Sequence, residues 1–219
     1  MPFAYAAWHP APHATSGEPL PTVVALHGHG AHGQDLLGLA PFLAEGRVMM
    51  LCPQAEFPAA GPGVTSYTWF RRDADGQRSI EEFERVAGDL RAFIDEVVPR
   101  CGGDPNRVVV LGFSQGGTLA YRLGLAGPRR FAGVAALSTT FPDDMAAAVD
   151  RATVAEVPLL VQHGTHDQMI AIQRAHASRD LLQTLGALPQ YLEYPMGHEI
   201  GRQSLTDLSA WLTRVLKIG

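Results

Sequence analysis

Val108-Val109-Val110-Leu111-Gly112-Phe113-Ser114-Gln115-Gly116-Gly117-Thr118-Leu119-Ala120 carries the strongest structural instruction in this chain. The branched apolar run favours a strand, Gly-x-Ser-x-Gly favours a sharp turn, and small or helix-forming residues follow. The pattern reads as strand, turn and helix with Ser114 at the apex. A Cβ at Gly112 or Gly116 would clash across so tight a turn. The serine hydroxyl then stands clear of the sheet, beside the first N–H groups of the helix, which suit a developing oxyanion. The pentapeptide alone fits equally a glycine-rich turn whose serine caps the helix, so partners elsewhere in the chain must separate the two.

Folds built around such a turn bring in an acid and then a base in chain order, on loops leaving later strands. Asp143, Asp144 and Asp150 lie in polar or helix-like sequence, and Asp180 in a further helix. Asp167 differs, because it follows Val157-Pro158-Leu159-Leu160-Val161-Gln162-His163-Gly164, an apolar run stopped by glycine. His176 sits in the helical pattern 170–185, whereas His198 follows a strand-like segment broken by Pro195 and Gly197. Ser114, Asp167 and His198 are therefore the expected catalytic set. A serine hydroxyl needs a neutral imidazole to accept its proton, and a carboxylate on the other ring nitrogen fixes the tautomer. Activity should fall on acidification as the imidazole takes a proton. The bland alternatives are a turn aspartate after a strand and a histidine capping the last helix.

Thr22-Val23-Val24-Ala25-Leu26-His27-Gly28-His29-Gly30 is a second apolar strand ending in a glycine-rich loop. The main-chain N–H of His29 is expected to pair with that of Gln115 as an oxyanion hole. His27, His29 and His32, with His163 and His166 as a second set, raise a rival reading as metal ligands. Structural zinc sites draw on defined spacing and on cysteine or carboxylate company, and His-Gly-x-Gly at a strand end already has an explanation. No metal is expected, and His27 reads as a buried residue that staples its loop.

With these motifs in order, His-Gly-His-Gly, Gly-Phe-Ser-Gln-Gly-Gly, His-Gly-Thr-His-Asp and Tyr-Pro-Met-Gly-His, the chain resembles the phospholipase/carboxylesterase family of α/β-hydrolases. That family includes bacterial carboxylesterases and acyl-protein thioesterases, and the resemblance spans nearly the whole chain. It implies hydrolysis of small-molecule carboxylic esters or thioesters through an acyl-serine with no cofactor, and it allows a homodimer. By position Ser114, Asp167 and His198 match the family's triad, and His29 and Gln115 its oxyanion donors. Two positions depart from the thioesterase pattern: Ala31 stands where Asp is usual, and Arg71 follows Trp69-Phe70 where Asp is usual. Competing readings are an acyl-protein thioesterase or lysophospholipase, an acyltransferase using the same acyl-serine, and a non-catalytic binding protein on the same scaffold.

Composition agrees with one α/β domain over 1–219. A chain of 219 residues can bury roughly 70% of its unfolded surface in one core. No start resembles a signal peptide and no run approaches the roughly 18 apolar residues of a spanning helix. Two cysteines are too few for a disulfide framework and fit a reducing cytoplasm. A net charge of −5 argues against nucleic acid as a partner, and Arg71-Arg72 and Arg129-Arg130 read as solvated faces or helix ends.

Apolar runs at 22–27, 47–52, 107–113, 131–137, 157–163 and 189–194 read as strands, with 3–8 as an antiparallel edge. Helical patterns occupy 34–44, 79–100, 115–126, 170–186 and 201–217. Such alternation predicts an α/β-hydrolase fold, with helices on both faces of a mostly parallel central sheet and no large cap domain. In the second helix Ile80, Phe83, Val86, Ala87, Leu90, Phe93, Ile94, Val97 and Val98 keep helical spacing, so one face is expected to pack on the sheet. The long irregular stretch 53–78 reads as functional or mobile. Trp69 and Phe70 within it fit either a satellite core under the loop or a pocket wall; with Met169 and Ile170 beside Asp167 they are the candidate pocket residues for small to medium acyl chains.

Overall fold

The computed structural model describes residues 3–11, 18–59, 65–127 and 131–219; Arg129 and Arg130 lie outside them. Among the described residues seven strands form one sheet: β1 (Tyr5–Trp8), β2 (Leu20–Leu26), β3 (Met49–Pro53), β6 (Gly103–Phe113), β7 (Gly133–Leu137), β8 (Leu159–Gly164) and β9 (Gln190–Tyr194). Their spatial order is β1-β3-β2-β6-β7-β8-β9. Only β1 runs against its neighbour, pairing Tyr5 with Pro53 and Trp8 with Met50. The remaining pairs are parallel, which requires crossovers on the two faces.

Apolar side chains on both faces follow from that burial. Along β6, Val108 and Val110 pack with one cluster and Val109 and Leu111 with the other. The first cluster is covered by α1 (Ile80–Arg100), α2 (Gln115–Leu125) and, through Leu182, α3 (Ile172–Thr184). The second is covered by α4 (Arg202–Val215), through Leu208, Trp211 and Leu212, together with the segment Leu37–Gly46. Helix α1 starts where Ser79 Oγ accepts the Glu82 N–H at 3.2 Å, the cap its Ser-x-x-Glu sequence calls for. It buries the expected face from Phe83 onward, but Ile80, in its first turn, is exposed.

Two local readings need correction. The stretch expected as a helix over 34–44 is a kinked 3₁₀ segment over Leu37–Gly46. Pro41 removes a donor there, and Ala44 and Glu45 turn to φ of 46° and 58°. Within the long stretch 53–78, of which 60–64 lie outside the described residues, β4 (Phe57–Pro58) and β5 (Tyr67–Thr68) pair as a small antiparallel ribbon. Two-residue strands leave no periodicity to read.

Candidate active site

The turn between β6 and α2 has the shape its glycines demand. Ser114 sits at φ 53° and ψ −117°, a strained conformation for a residue with a Cβ. Its N–H donates to Leu137 O at 2.9 Å and its carbonyl accepts from Gly117 N–H at 2.9 Å. A Cβ on Gly112 would run into the Gly116 carbonyl, and one on Gly116 into the carbonyls of Leu26 and His27. The elbow is thus wedged between its own helix and the end of β2.

The loops after β8 and β9 reach the same spot. Asp167 Oδ1 accepts the N–H groups of Met169 at 2.9 Å and Ile170 at 2.8 Å. Its Oδ2 accepts from His198 Nδ1 at 2.8 Å. With Nδ1 carrying the proton, Nε2 is the acceptor of the neutral ring, and it lies 3.0 Å from Ser114 Oγ. Phe113 packs on the imidazole, ring centroids 4.9 Å apart. A Cβ on Gly164 would collide with the Met196 and Gly197 carbonyls, so close packing fits the acid-bearing loop to the base-bearing loop. Burial would raise the Asp167 carboxyl, but the Ile170 N–H, the His198 hydrogen bond and charge, and the Met169 N–H outweigh it. They hold the group below the ordinary carboxylate value. Ser114, Asp167 and His198 are therefore in one hydrogen-bonded line. His176, the alternative base, instead pairs with Glu193 at 2.6 Å.

His29 and Gln115 border the same space. Gln115 is the first residue of α2, where a helix N–H has no intrahelical acceptor, and the His29 N–H meets no acceptor among the described residues. Loop 27–31 is held from outside. Gly30 N–H donates to Tyr67 O and Tyr67 N–H to Ala31 O, both at 2.9 Å. Ser66 Oγ donates to Gly30 O at 2.9 Å and Trp69 Nε1 to His27 O at 2.8 Å. His27 Nδ1 donates to Gly28 O at 2.8 Å, and Nε2 accepts the Ala55 N–H at 3.1 Å. Burial, first, pulls that imidazole below its ordinary value of 6.5.

Trp69 is fully buried and lines no cleft beside Ser114. That overturns its place among the candidate pocket residues: its indole is an anchor beneath loop 27–31. Phe70 and Ile170 line a cleft of about 1120 Å³ with Ser114 and Gln115. Met169 lines a smaller, apolar pocket of about 410 Å³ that also contains Ser114 and His198. Arg71 is absorbed by α1, its N–H and guanidinium meeting Glu82 at 2.7, 3.0 and 2.5 Å.

Two contributors were not visible in the sequence. The Gln115 side chain accepts from Trp69 N–H at 2.9 Å and donates to Thr68 Oγ1 and Phe70 O, each at 2.8 Å, so it ties stretch 68–70 to the elbow. Buried His163 holds the Ile170 carbonyl at 2.8 Å through Nε2, bracing the turn that donates to Asp167. Its place four residues before Asp167 was the available signal, which sequence reading treated as half of a histidine pair.

A mostly parallel sheet with a serine elbow after its central strand, faced by an Asp-bearing and a His-bearing loop, defines an α/β-hydrolase. The family model described as Phospholipase/Carboxylesterase matches residues 11–216, and the chain belongs to that family. It is a carboxylesterase-type hydrolase. It is 34% identical over 225 residues to acyl-protein thioesterase 1 of Mycosarcoma maydis, covering 91% of this chain and 92% of that one. It is 30% identical over 131 residues to carboxylesterase SOBER1 of Arabidopsis thaliana, covering 59% and 57%. The crystal structure of esterase PE8 superposes with a TM-score of 0.82 at 25% identity, over 98% of this chain and 100% of that one. No helix among the described residues is long and apolar enough to cross a membrane.

Proposed function

We propose that this chain hydrolyses carboxylic esters of small to medium acyl chains through an acyl-enzyme on Ser114. The supporting observation is the hydrogen-bonded line from Asp167 through His198 to Ser114 Oγ. As Ser114 Oγ attacks the ester carbonyl, its proton passes to His198 Nε2, and the oxygen that gains charge faces the N–H groups of His29 and Gln115. Asp167, kept ionised, stabilises the imidazolium without taking its proton. His198 returns the proton to the departing alkoxide, leaving an acyl-serine. Water, deprotonated by the same imidazole, then releases the acid and restores the hydroxyl.

Chain length is read from the apolar pocket. Leu36, Leu39, Phe113, Met169 and Ile200 line its walls, and its volume sits near the low end of the roughly 300–1,000 Å³ usual for ligand sites. An acyl-cysteine thioester fits the same chemistry, and the likeness to an acyl-protein thioesterase keeps it as the second reading. Cys52 and Cys101 are free, in keeping with the cytoplasm as the proposed compartment.

A fluorophosphonate probe should label the native chain at Ser114. Ser114→Ala should lose labelling and at least about 10⁴-fold of its p-nitrophenyl ester turnover while keeping its thermal midpoint. Turnover that survives the substitution would end this reading; comparing kcat/KM for an ester and an acyl-cysteine peptide separates the two substrate classes.

A further inference from the structure

Ser114 and His29 stand between two spaces of opposite character. The smaller has a mostly apolar lining that includes Leu36, Leu39, Phe113, Met169 and Ile200, and its charged groups are the carboxylates Asp35 and Glu199, with no arginine. The larger is lined by Arg71, Arg72, Arg78 and Arg174 against Asp143 and Asp144, in a chain whose net charge is −5. Arg71 is matched by Glu82 and Arg78 by Asp144 at 2.6 Å. Among the described residues neither Arg72 nor Arg174 meets a carboxylate. Arg72 donates to the Gly76 carbonyl at 2.6 Å, with its guanidinium 5.9 Å from the centre of the Phe70 ring.

Arg78 gives a second, independent observation. Its side chain is nine-tenths buried, and its Nε is sealed from solvent with no hydrogen-bond acceptor among the described residues. The guanidinium lies over the Phe83 ring, 4.5 Å from its centre, so Arg78 is a fixed cation in the cleft wall. Burial, and then the positive charges of Arg78 and Arg174, also hold the Arg72 guanidinium below its ordinary value. Arg78 is paired, and the exposed residues Arg72 and Arg174 add two cations to the same wall that no carboxylate meets among the described residues.

We propose that the larger cleft is an oxyanion subsite, in which Arg72, Arg78 and Arg174 bind a carboxylate or phosphate carried by the ester substrate while Ser114 attacks the ester. The proposal rests on the serine-hydrolase reading and narrows its substrate class to anionic esters. Guanidinium groups suit this task because they stay charged and present paired N–H donors to a carboxylate or phosphate. The apolar pocket would then hold the uncharged side of the ester.

Two matched substrate pairs test it. Mono-4-nitrophenyl adipate against 4-nitrophenyl heptanoate places the charge on the acyl side. 1-Butanoylglycerol 3-phosphate against 1-butanoylglycerol places it on the alcohol side. The native chain should prefer the charged member of at least one pair by ten-fold or more in kcat/KM, the scale of a charge-assisted hydrogen bond. In the double variant Arg72→Gln, Arg174→Gln that ratio should fall to about one. Absence of preference in both pairs, or a preference that survives the double variant, overturns the proposal while Ser114 labelling leaves the hydrolase reading standing. If no ester is turned over, calorimetry on Ser114→Ala with mono-4-nitrophenyl adipate decides. Binding that disappears with Arg72 and Arg174 upholds the subsite, and absence of binding overturns it.

Discussion

The loops that carry Ser114, Asp167 and His198 are shaped by glycine-permitted backbone packing and short turns, whereas the loop that carries His29 is clamped by hydrogen bonds from side chains and backbone of another stretch. On the first side, glycines leave room for carbonyls at Gly112, Gly116 and Gly164, and Asp167 takes donors two and three residues ahead of it. On the second side, the bonds from Ser66, Trp69 and Ala55 bridge 36, 42 and 28 positions. The proton-transfer side thus combines short local turns with close backbone packing of Gly116 on the end of β2 and of Gly164 on residues 196 and 197. The proposed oxyanion side depends instead on hydrogen-bonded clamping from stretch 66–69. Substitutions on the first should act chiefly on turnover, and those on the second on turnover and stability together.

Asp167→Asn breaks the local side most sharply. The neutral amide has one acceptor oxygen and an NH2 donor, so either His198 Nδ1–H or the Met169 and Ile170 N–H groups face an N–H instead of an acceptor, and the imidazole loses its fixed tautomer. We expect kcat to drop by about 10³–10⁴-fold, the scale seen when a triad carboxylate becomes an amide, with fluorophosphonate labelling slowed in parallel. A loss below ten-fold would mean that His198 is oriented by other groups.

This division also explains what could be read beforehand. The strand–turn–helix around Ser114, the loop acid after β8 and the histidine after β9 were legible because each is set by residues adjacent in sequence. The pairing of Ala31 with Tyr67 and the burial of Trp69 were not, because no periodicity links stretch 65–70 to loop 27–31. Trp69 looked like a pocket wall because large apolar groups in a polar loop suit a pocket as well as a satellite core. The 3₁₀ segment over Leu37–Gly46 escaped because its leucine spacing mimics a helix while Pro41 denies it the bonds.

Gln115→Ala sharpens the comparison from the clamped side. The substitution keeps the main-chain N–H proposed for the oxyanion but strands the Trp69 N–H, which donates to the Gln115 side chain, and leaves the Phe70 carbonyl with Thr68 Oγ1 as its side-chain donor. Leaving buried groups unmatched costs about 1–3 kcal/mol. A lower thermal midpoint should accompany a loss of about ten-fold in kcat/KM as stretch 68–70 loosens over loop 27–31. Loss of activity with an unchanged midpoint would place Gln115 in substrate contact instead of clamping.

The smallest effect expected concerns pH and the inner anchor of the clamped loop. His27 donates from Nδ1 to Gly28 O and accepts the Ala55 N–H at Nε2, so protonation would set an N–H against an N–H. With the folded imidazole held below its ordinary value of 6.5, the unfolded chain binds a proton first as pH falls. Stability from His27 is therefore full above pH 6.5 and is lost as pH descends from there toward the depressed folded value. Asp167, also depressed, adds its own loss only at lower pH, below its ordinary 3.8. Thermal midpoints measured from pH 7.5 to 5 should decline more steeply for the native chain than for His27→Gln, whatever the offset between the two at neutral pH. Parallel slopes would show that the clamp does not sense protonation at His27, and that acid acts on the fold through groups elsewhere.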